Sequence, residues 1–248
     1  MEGVRIVELK PVKTGLKYVV EGLPDTGLVG AIAVTYLVGE LHLEEVAYVE
    51  SEALPPVVPV HKGLVNEPFR IYGGDDLLVV MSEIALPLTS LHQLSKVLVD
   101  WYQKKSVGLV ITITGMPVGN RLEIEKPKVF GAATDEETLE LIKGSGIPVF
   151  KEGYLAGPYA LTMRECSRRG LRSLALISQS FLNYPDPGAA ASSLEALSKL
   201  TGIRIDTTPL LEKSDEIRMK ARDLMRQAQA SMKRMGKPLE KEMPLMYG

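Results

Sequence analysis

Val107-Gly108-Leu109-Val110-Ile111-Thr112-Ile113 carries no charge, and Thr112 is its one polar side chain. A strand this uniformly apolar is covered on both faces, as when helices lie on either side of a parallel sheet. The same pattern recurs outward in both directions. Upstream, Asp76-Leu77-Leu78-Val79-Val80-Met81 is a second buried run. A helix follows it, with Leu91, Leu94, Val97, Leu98 and Trp101 three or four residues apart and Thr89 or Ser90 as its expected cap. Further upstream, Lys17-Tyr18-Val19-Val20-Glu21 ends at Gly22, an apolar helix spans 28–41, and Val46-Ala47-Tyr48-Val49 forms another strand. The proline-rich stretch 54–72 reads as an excursion or hairpin beside the sheet. Downstream come a helix over 135–143, extended Ile147-Pro148-Val149-Phe150, a helix over 158–169 and the strand Leu174-Ala175-Leu176-Ile177. Asp186-Pro187 then supplies an N-cap and first-turn proline for a helix ending near Gly202. Such alternation predicts an α/β fold, a mostly parallel sheet sandwiched by helices.

Composition narrows the function classes. The 248 residues suit one large domain with a substantial core. Twenty-nine basic and 31 acidic residues leave a net charge of -2 with no long basic run, which argues against non-specific nucleic-acid binding. No apolar stretch approaches a membrane span, and the first ten residues lack the pattern of a signal peptide. The single cysteine, Cys166, cannot form an internal disulfide. A cytoplasmic location is expected.

After residue 208 the texture changes. Ile217, Ala221, Leu224, Ala228, Ser231 and Met235 recur at intervals of four and three in a charge-dense helix. That narrow seam serves packing either on its own domain or on another protomer. Gly236 and Pro238 end the helix. The expected division is an α/β domain over 1–208, a charged helix over 209–236 and a tail over 237–248.

The most enzyme-like segment is Gly22-Leu23-Pro24-Asp25-Thr26-Gly27-Leu28-Val29-Gly30, a glycine-rich turn entering a helix. Backbone amides at such a turn can hold phosphate, so Gly22, Gly27 and Gly30 form a candidate ligand turn. The P-loop spacing is present, but Leu28 and Val29 stand where lysine and a hydroxyl residue belong. Asp25 also replaces the first glycine of the dinucleotide pattern, and its charge would repel a pyrophosphate. A tight turn with close helix packing is the favoured reading. His42 and His92 fall on expected helices and His61 on a loop, with no zinc-site spacing among them. Glu83, past the end of a central strand, lies where open sheets place ligands, but no partner for it is identifiable. No catalytic set and no cofactor emerge.

Three segments together resemble the archaeal proteasome assembly chaperone family, whose members are related to the second eukaryotic assembly chaperone. They are the Gly22 to Gly30 turn with its alanine-rich helix, Gly157-Pro158 after Tyr154-Leu155-Ala156, and Tyr184-Pro185-Asp186-Pro187-Gly188-Ala189-Ala190. Leu194-Glu195-Ala196-Leu197 and Ile205-Asp206-Thr207 extend the third. The resemblance spans nearly the whole chain. It implies an α/β sandwich similar to purine nucleoside phosphorylases, homo-oligomers, no catalytic residues, and binding to the α-ring face of the 20S proteasome. The ending Met246-Tyr247-Gly248 resembles the hydrophobic-Tyr-X docking tail of proteasome activators. In such a tail the aromatic ring, the terminal carboxylate and the apolar neighbour would enter pockets between α subunits. The expected function is therefore non-enzymatic, ATP-independent proteasome binding, as activator, assembly chaperone or both. The alternative is an enzyme for a phosphate- or nucleotide-containing ligand, using the Gly22 to Gly30 turn, Glu83 and Thr114-Gly115-Met116-Pro117.

Overall fold

A computed structural model describes residues 3–234. Eight strands form the main sheet: β1 (Arg5–Glu8), β2 (Tyr18–Gly22), β3 (Glu44–Glu50), β6 (Phe69–Gly73), β7 (Leu77–Ser82), β8 (Leu109–Pro117), β9 (Val129–Ala133) and β10 (Ser173–Ser180). Their order across the sheet is β1-β3-β6-β7-β2-β8-β10-β9. The centre, β7-β2-β8-β10, is parallel. Strands β6, β3 and β1 extend one edge antiparallel, and β9 closes the other. Two further strands, β4 (Val60–His61) and β5 (Leu64–Val65), pair only with each other in a hairpin.

Alternation along the central strands sends side chains to two cores. Val20, Leu77, Val79, Met81, Ile111, Ile113, Leu174 and Leu176 face α1 (Val29–Glu40) and α5 (Pro187–Thr201). Val19, Leu78, Val80 and Val110 face α2 (Leu88–Lys104) and α4 (Pro158–Arg168). Buried on both faces, these strands cannot show polar alternation in sequence, which is why they read as continuous apolar runs. The remaining helix of this part, α3 (Glu136–Gly144), puts Ile142 into the first core.

The expected α/β sandwich is thus observed, with local differences. Strands β1 and β9 escape the periodicity: both are short edge strands, half-buried, and their side chains carry no strong pattern. The 147–150 segment is extended but meets the sheet only through a Gly131–Val149 bridge. Helix α2 starts at Leu88 after Pro87, whose carbonyl takes the Ser90 hydroxyl, so neither Thr89 nor Ser90 is the cap. Asp186, by contrast, caps α5 by accepting from the Ala189 amide at 3.0 Å.

The charge-dense C-terminal part forms α6 (Thr208–Glu212), α7 (Ser214–Lys220) and α8 (Arg222–Arg234). Backbone bonds Ile217→Lys213, Ala221→Ile217 and Met225→Ala221 carry helical pairing across the two bends. Leu210, Met225, Ala228 and Met232 are buried in the first core, with Ile217, Ala221 and Leu224 packed against it. The seam residues Ile217, Ala221, Leu224 and Ala228 thus pack on their own domain, while Met235 lies outside the described residues.

Candidate functional site

In an open α/β sheet, ligands collect outside the carboxyl ends of the strands where the strand order reverses. Here that point lies between β2 and β8, because β7 was added on one side of β2 and β8 on the other. The Gly22 to Gly30 turn and Thr114-Gly115-Met116-Pro117 both end there. Gly22, Gly27 and Gly30 lie in this turn, Gly22 and Gly30 against each other, and every residue from Glu21 to Val34 is buried.

Close packing explains the glycines. A Cβ on Gly22 would sit 2.2 Å from the Gly30 carbonyl oxygen, and one on Gly30 would sit 2.3 Å from that of Ile113. Helix α1 thus lies directly on β2 and β8. Gly27 has φ +61°, and its Cβ would meet the Phe181 carbonyl at 2.8 Å. Leu28 also adopts a left-handed conformation, φ 50°, rare for a residue with a side chain; complete burial of that side chain holds it there. Across the crevice, a Cβ on Gly115 would be 2.4 Å from Ser180 Oγ and 2.5 Å from the Thr26 carbonyl. Asp25 accepts the Thr114 hydroxyl at 3.2 Å, and the buried Tyr159 hydroxyl donates to the Leu23 carbonyl. From outside, α8 lays Met232 against the turn, its Sδ 3.7 Å from the Thr26 hydroxyl. The chain's own atoms therefore occupy the crevice.

Beside it stands a buried ion pair. Arg121 donates through Nε to Asp186 Oδ2 at 2.7 Å and through a terminal nitrogen to Oδ1 at 2.9 Å. Asp186 also accepts the amides of Phe181 and Ala189, and its own amide donates to the Gly27 carbonyl. Arg121 further reaches the Ile124 carbonyl at 2.6 Å and lies over the Phe181 ring, 5.0 Å from its centroid. This fork-to-fork pair ties the turn, the 181–186 loop and the start of α5 into one unit.

Under the turn, on the α2/α4 side, Glu21 is wholly buried. Tyr102 donates to its Oε1 at 2.6 Å. Burial pushes the Glu21 carboxyl up to about 7, only partly countered by hydrogen bonding from Tyr102 and Thr162. Burial likewise drives the hydroxyl of Tyr102 well above its ordinary range, and the thiol of Cys166 to about 12, the nearby Glu21 adding to both. A thiol so raised is not a nucleophile at neutral pH.

The other residues singled out from sequence are dispersed. Glu83 has partners that sequence did not reveal: His61 Nε2 at 2.7 Å and the buried Arg70 guanidinium. The hairpin β4-β5 delivers His61 to it, so this carboxylate serves as a brace between excursion and sheet. His42 falls just past α1 in a left-handed turn rather than within the helix. His92 lies on α2, 3.4 Å from Arg164. Among the described residues no group of three or more His, Cys, Asp or Glu is placed to hold a metal ion. Met246, Tyr247 and Gly248 lie outside the described residues.

Open space lies farther out, flanking Tyr184-Pro185. One cleft of about 600 Å³ is lined by Leu122, Phe181, Tyr184 and Arg218 among others. An adjoining cleft of about 390 Å³ runs between that loop and α7–α8, with Met219, Arg222 and Arg226 on its wall. Sequence reading missed these residues individually. The four-residue spacing of Arg218, Arg222 and Arg226 was visible, but which loop would face it was not.

A three-layer α/β protein with a self-filled switch-point crevice and a C-terminal helix laid across it is the class these features define. The chain belongs to the PAC2 family, whose model matches residues 19–225. Among solved structures it is similar to Pyrococcus furiosus PbaA, an archaeal homolog of proteasome-assembly chaperone. That match has 30% identity and a TM-score of 0.86 over 92% of this chain and 99% of that one. It is also similar to P. furiosus PbaB, an archaeal proteasome activator, at 26% identity, TM-score 0.76, with 90% and 99% covered. An uncharacterised protein of Methanocaldococcus jannaschii is 26% identical over 99% of both chains.

Proposed function

We propose that this protein binds the α-ring of the 20S proteasome, without ATP and without catalysis of its own, as activator, assembly chaperone or both. The observation that carries the reading is the full-length similarity to both PbaA and PbaB. The sequence ending adds the means: Met246, Tyr247 and the Gly248 carboxylate enter pockets between neighbouring α subunits. A tyrosine ring buries a large apolar face while its hydroxyl finds a partner, and the carboxylate pairs with a lysine. The filled crevice at the carboxyl ends of β2 and β8 supports a binding role over an enzymatic one, because the glycines there are consumed by helix packing.

One tail binds weakly, since few atoms are buried and the segment loses entropy on ordering. A homo-oligomer presenting several tails gains avidity by about 10²–10⁴ where their spacing matches several pockets. The test measures peptide hydrolysis by purified archaeal 20S particles in the presence of the wild type, Tyr247→Ala, and a form lacking residues 246–248. Stimulation by the wild type, lost in both variants, is expected, together with loss of pull-down. Equal behaviour of all three proteins would sink the docking reading.

A further inference from the structure

The two clefts beside Tyr184-Pro185 share Arg218 and the 183–185 loop, so they form one groove. Its helix wall carries Arg218, Arg222 and Arg226, four residues apart on α7 and α8. Its loop wall is largely apolar: Tyr184 (69% exposed) and Pro185, continued by Leu122 (90%). The arginines are available to a partner. Among the described residues Arg218 and Arg226 pair only with Asp215 and Asp223 of their own helices, and pairs that exposed contribute little. Arg222 is exposed and makes no ion pair or side-chain hydrogen bond among the described residues. The floor is fixed: Arg121 lies over the Phe181 ring, Tyr184 packs edge-on against that ring, and the Gln229 amide donates to the Asn183 carbonyl at 2.8 Å. A surface already ordered loses little entropy when a partner settles on it.

Charge selects the occupant. Among the described residues neither cleft has an aspartate or glutamate on its lining, whereas the chain as a whole carries 31 acidic residues against 29 basic. The groove is therefore a positive strip on a nearly neutral protein, and it favours an acidic partner. A second copy fits poorly, because a two-fold contact through this surface would set arginine against arginine. Nucleic acid fits poorly as well: the strip is three arginines long, and leucine and proline flank the one exposed ring on the facing wall. Spacing then gives the partner its form. Helical backbone pairing runs through the bend at Ala221, so Arg218 to Arg226 covers about 12 Å of helix. Five residues of extended chain cover about 13 Å, with alternate side chains on opposite sides. Carboxylates at the first, third and fifth positions thus meet the arginines, while apolar groups at the second and fourth meet the loop wall.

We propose that this groove docks an extended acidic segment of another protein, one with carboxylates at alternate positions and apolar side chains between them. The interaction is separate from the proteasome-docking reading above and does not rest on it.

Fluorescence anisotropy with the full-length protein tests this. The probe is a labelled synthetic peptide, Gly-Ser-Glu-Leu-Glu-Leu-Glu-Ser-Gly. One analogue replaces its glutamates by lysine, and another places the three glutamates consecutively. The wild type should bind the probe about tenfold more tightly than the lysine analogue and about threefold more tightly than the consecutive one. Arg218→Glu, Arg222→Glu and Arg226→Glu together should reverse the preference, losing the probe and gaining the lysine analogue, which a misfolded variant would not do. Leu122→Ser should weaken the probe about threefold through the apolar wall. No binding of the probe, or indifference to charge reversal, would overturn the proposal. So would tighter binding of a short oligothymidylate, which assigns the groove to nucleic acid. A sedimentation coefficient that falls on charge reversal would assign it to a second copy, and about tenfold tighter probe binding by a form lacking residues 237–248 would assign it to the chain's own terminus; either result overturns the proposal. The readout involves no proteasome. If Tyr247→Ala leaves stimulation unchanged while the probe binds as expected, the docking reading fails and the groove assignment stands.

Discussion

Glu21 sits wholly buried inside β2, and its carboxyl makes stability depend on pH. Burial pushes its folded carboxyl up to about 7, against an ordinary value of 4.5. The folded state therefore holds the proton more tightly than the unfolded chain does. Stability attributable to this group is full below about 4.5, declines as pH rises towards 7, and is flat above. The loss is on the order of 3 kcal/mol. Glu21→Gln keeps an acceptor for Tyr102 and removes the titration. Denaturant midpoints at pH 5 and pH 8 should accordingly converge in the variant while the wild type loses stability. Parallel pH profiles would refute the assignment. Sequence marked Glu21 only as the last residue of a strand. That its face meets α2 and α4 is a property of the packed layers.

At the scale of the element, helix α1 shows how one residue type takes different roles along a single segment. Gly30 is pressed on β8, where an added Cβ would meet the Ile113 carbonyl at 2.3 Å, whereas Gly39 near the other end has nothing within 4 Å. Gly30→Ala should cost about 3 kcal/mol by forcing the helix off the sheet. Gly39→Ala should stabilise by up to ~1 kcal/mol, since alanine is the better helix former. Urea unfolding of the two variants side by side checks this; similar effects at both positions would show that α1 is not clamped by Gly30. The nine-residue glycine pattern looked like a damaged phosphate loop because a phosphate cradle and a close helix-strand contact make the same demand, backbone without Cβ. Only coordinates reveal which neighbour uses the space.

For the molecule as a whole, the C-terminal helices decide what the surface offers. Met225, Ala228 and Met232 anchor α8 in the core shared with α1 and α5, across the turn that would otherwise face solvent. This anchor is modest beside the two-sided burial of the sheet, so α8 should open separately from it. Ala228→Glu places an uncompensated carboxylate in that anchor. Amide hydrogen exchange should then lose protection over 222–234 while β2, β8 and β10 keep theirs. Global loss of protection would mean that α8 is integral to the fold rather than laid upon it.

The sequence by itself determined the α/β class, the central strands, most of the helices and the cap at Asp186. Those features depend on local periodicity and on turn chemistry, which near neighbours in the chain dictate. It also supplied the Met246-Tyr247-Gly248 segment and the family resemblance carried jointly by the Gly22 to Gly30 turn, Gly157-Pro158 and the Tyr184 to Ala190 stretch. Tertiary structure alone decided the antiparallel edges, whose half-buried residues need no strict alternation. Only there did the partners of Glu83 and the Arg121–Asp186 tie emerge, the latter between residues 65 positions apart. It likewise chose which face the C-terminal seam covers, because an apolar stripe fits any apolar surface of suitable width and only the assembled core shows which one is nearest.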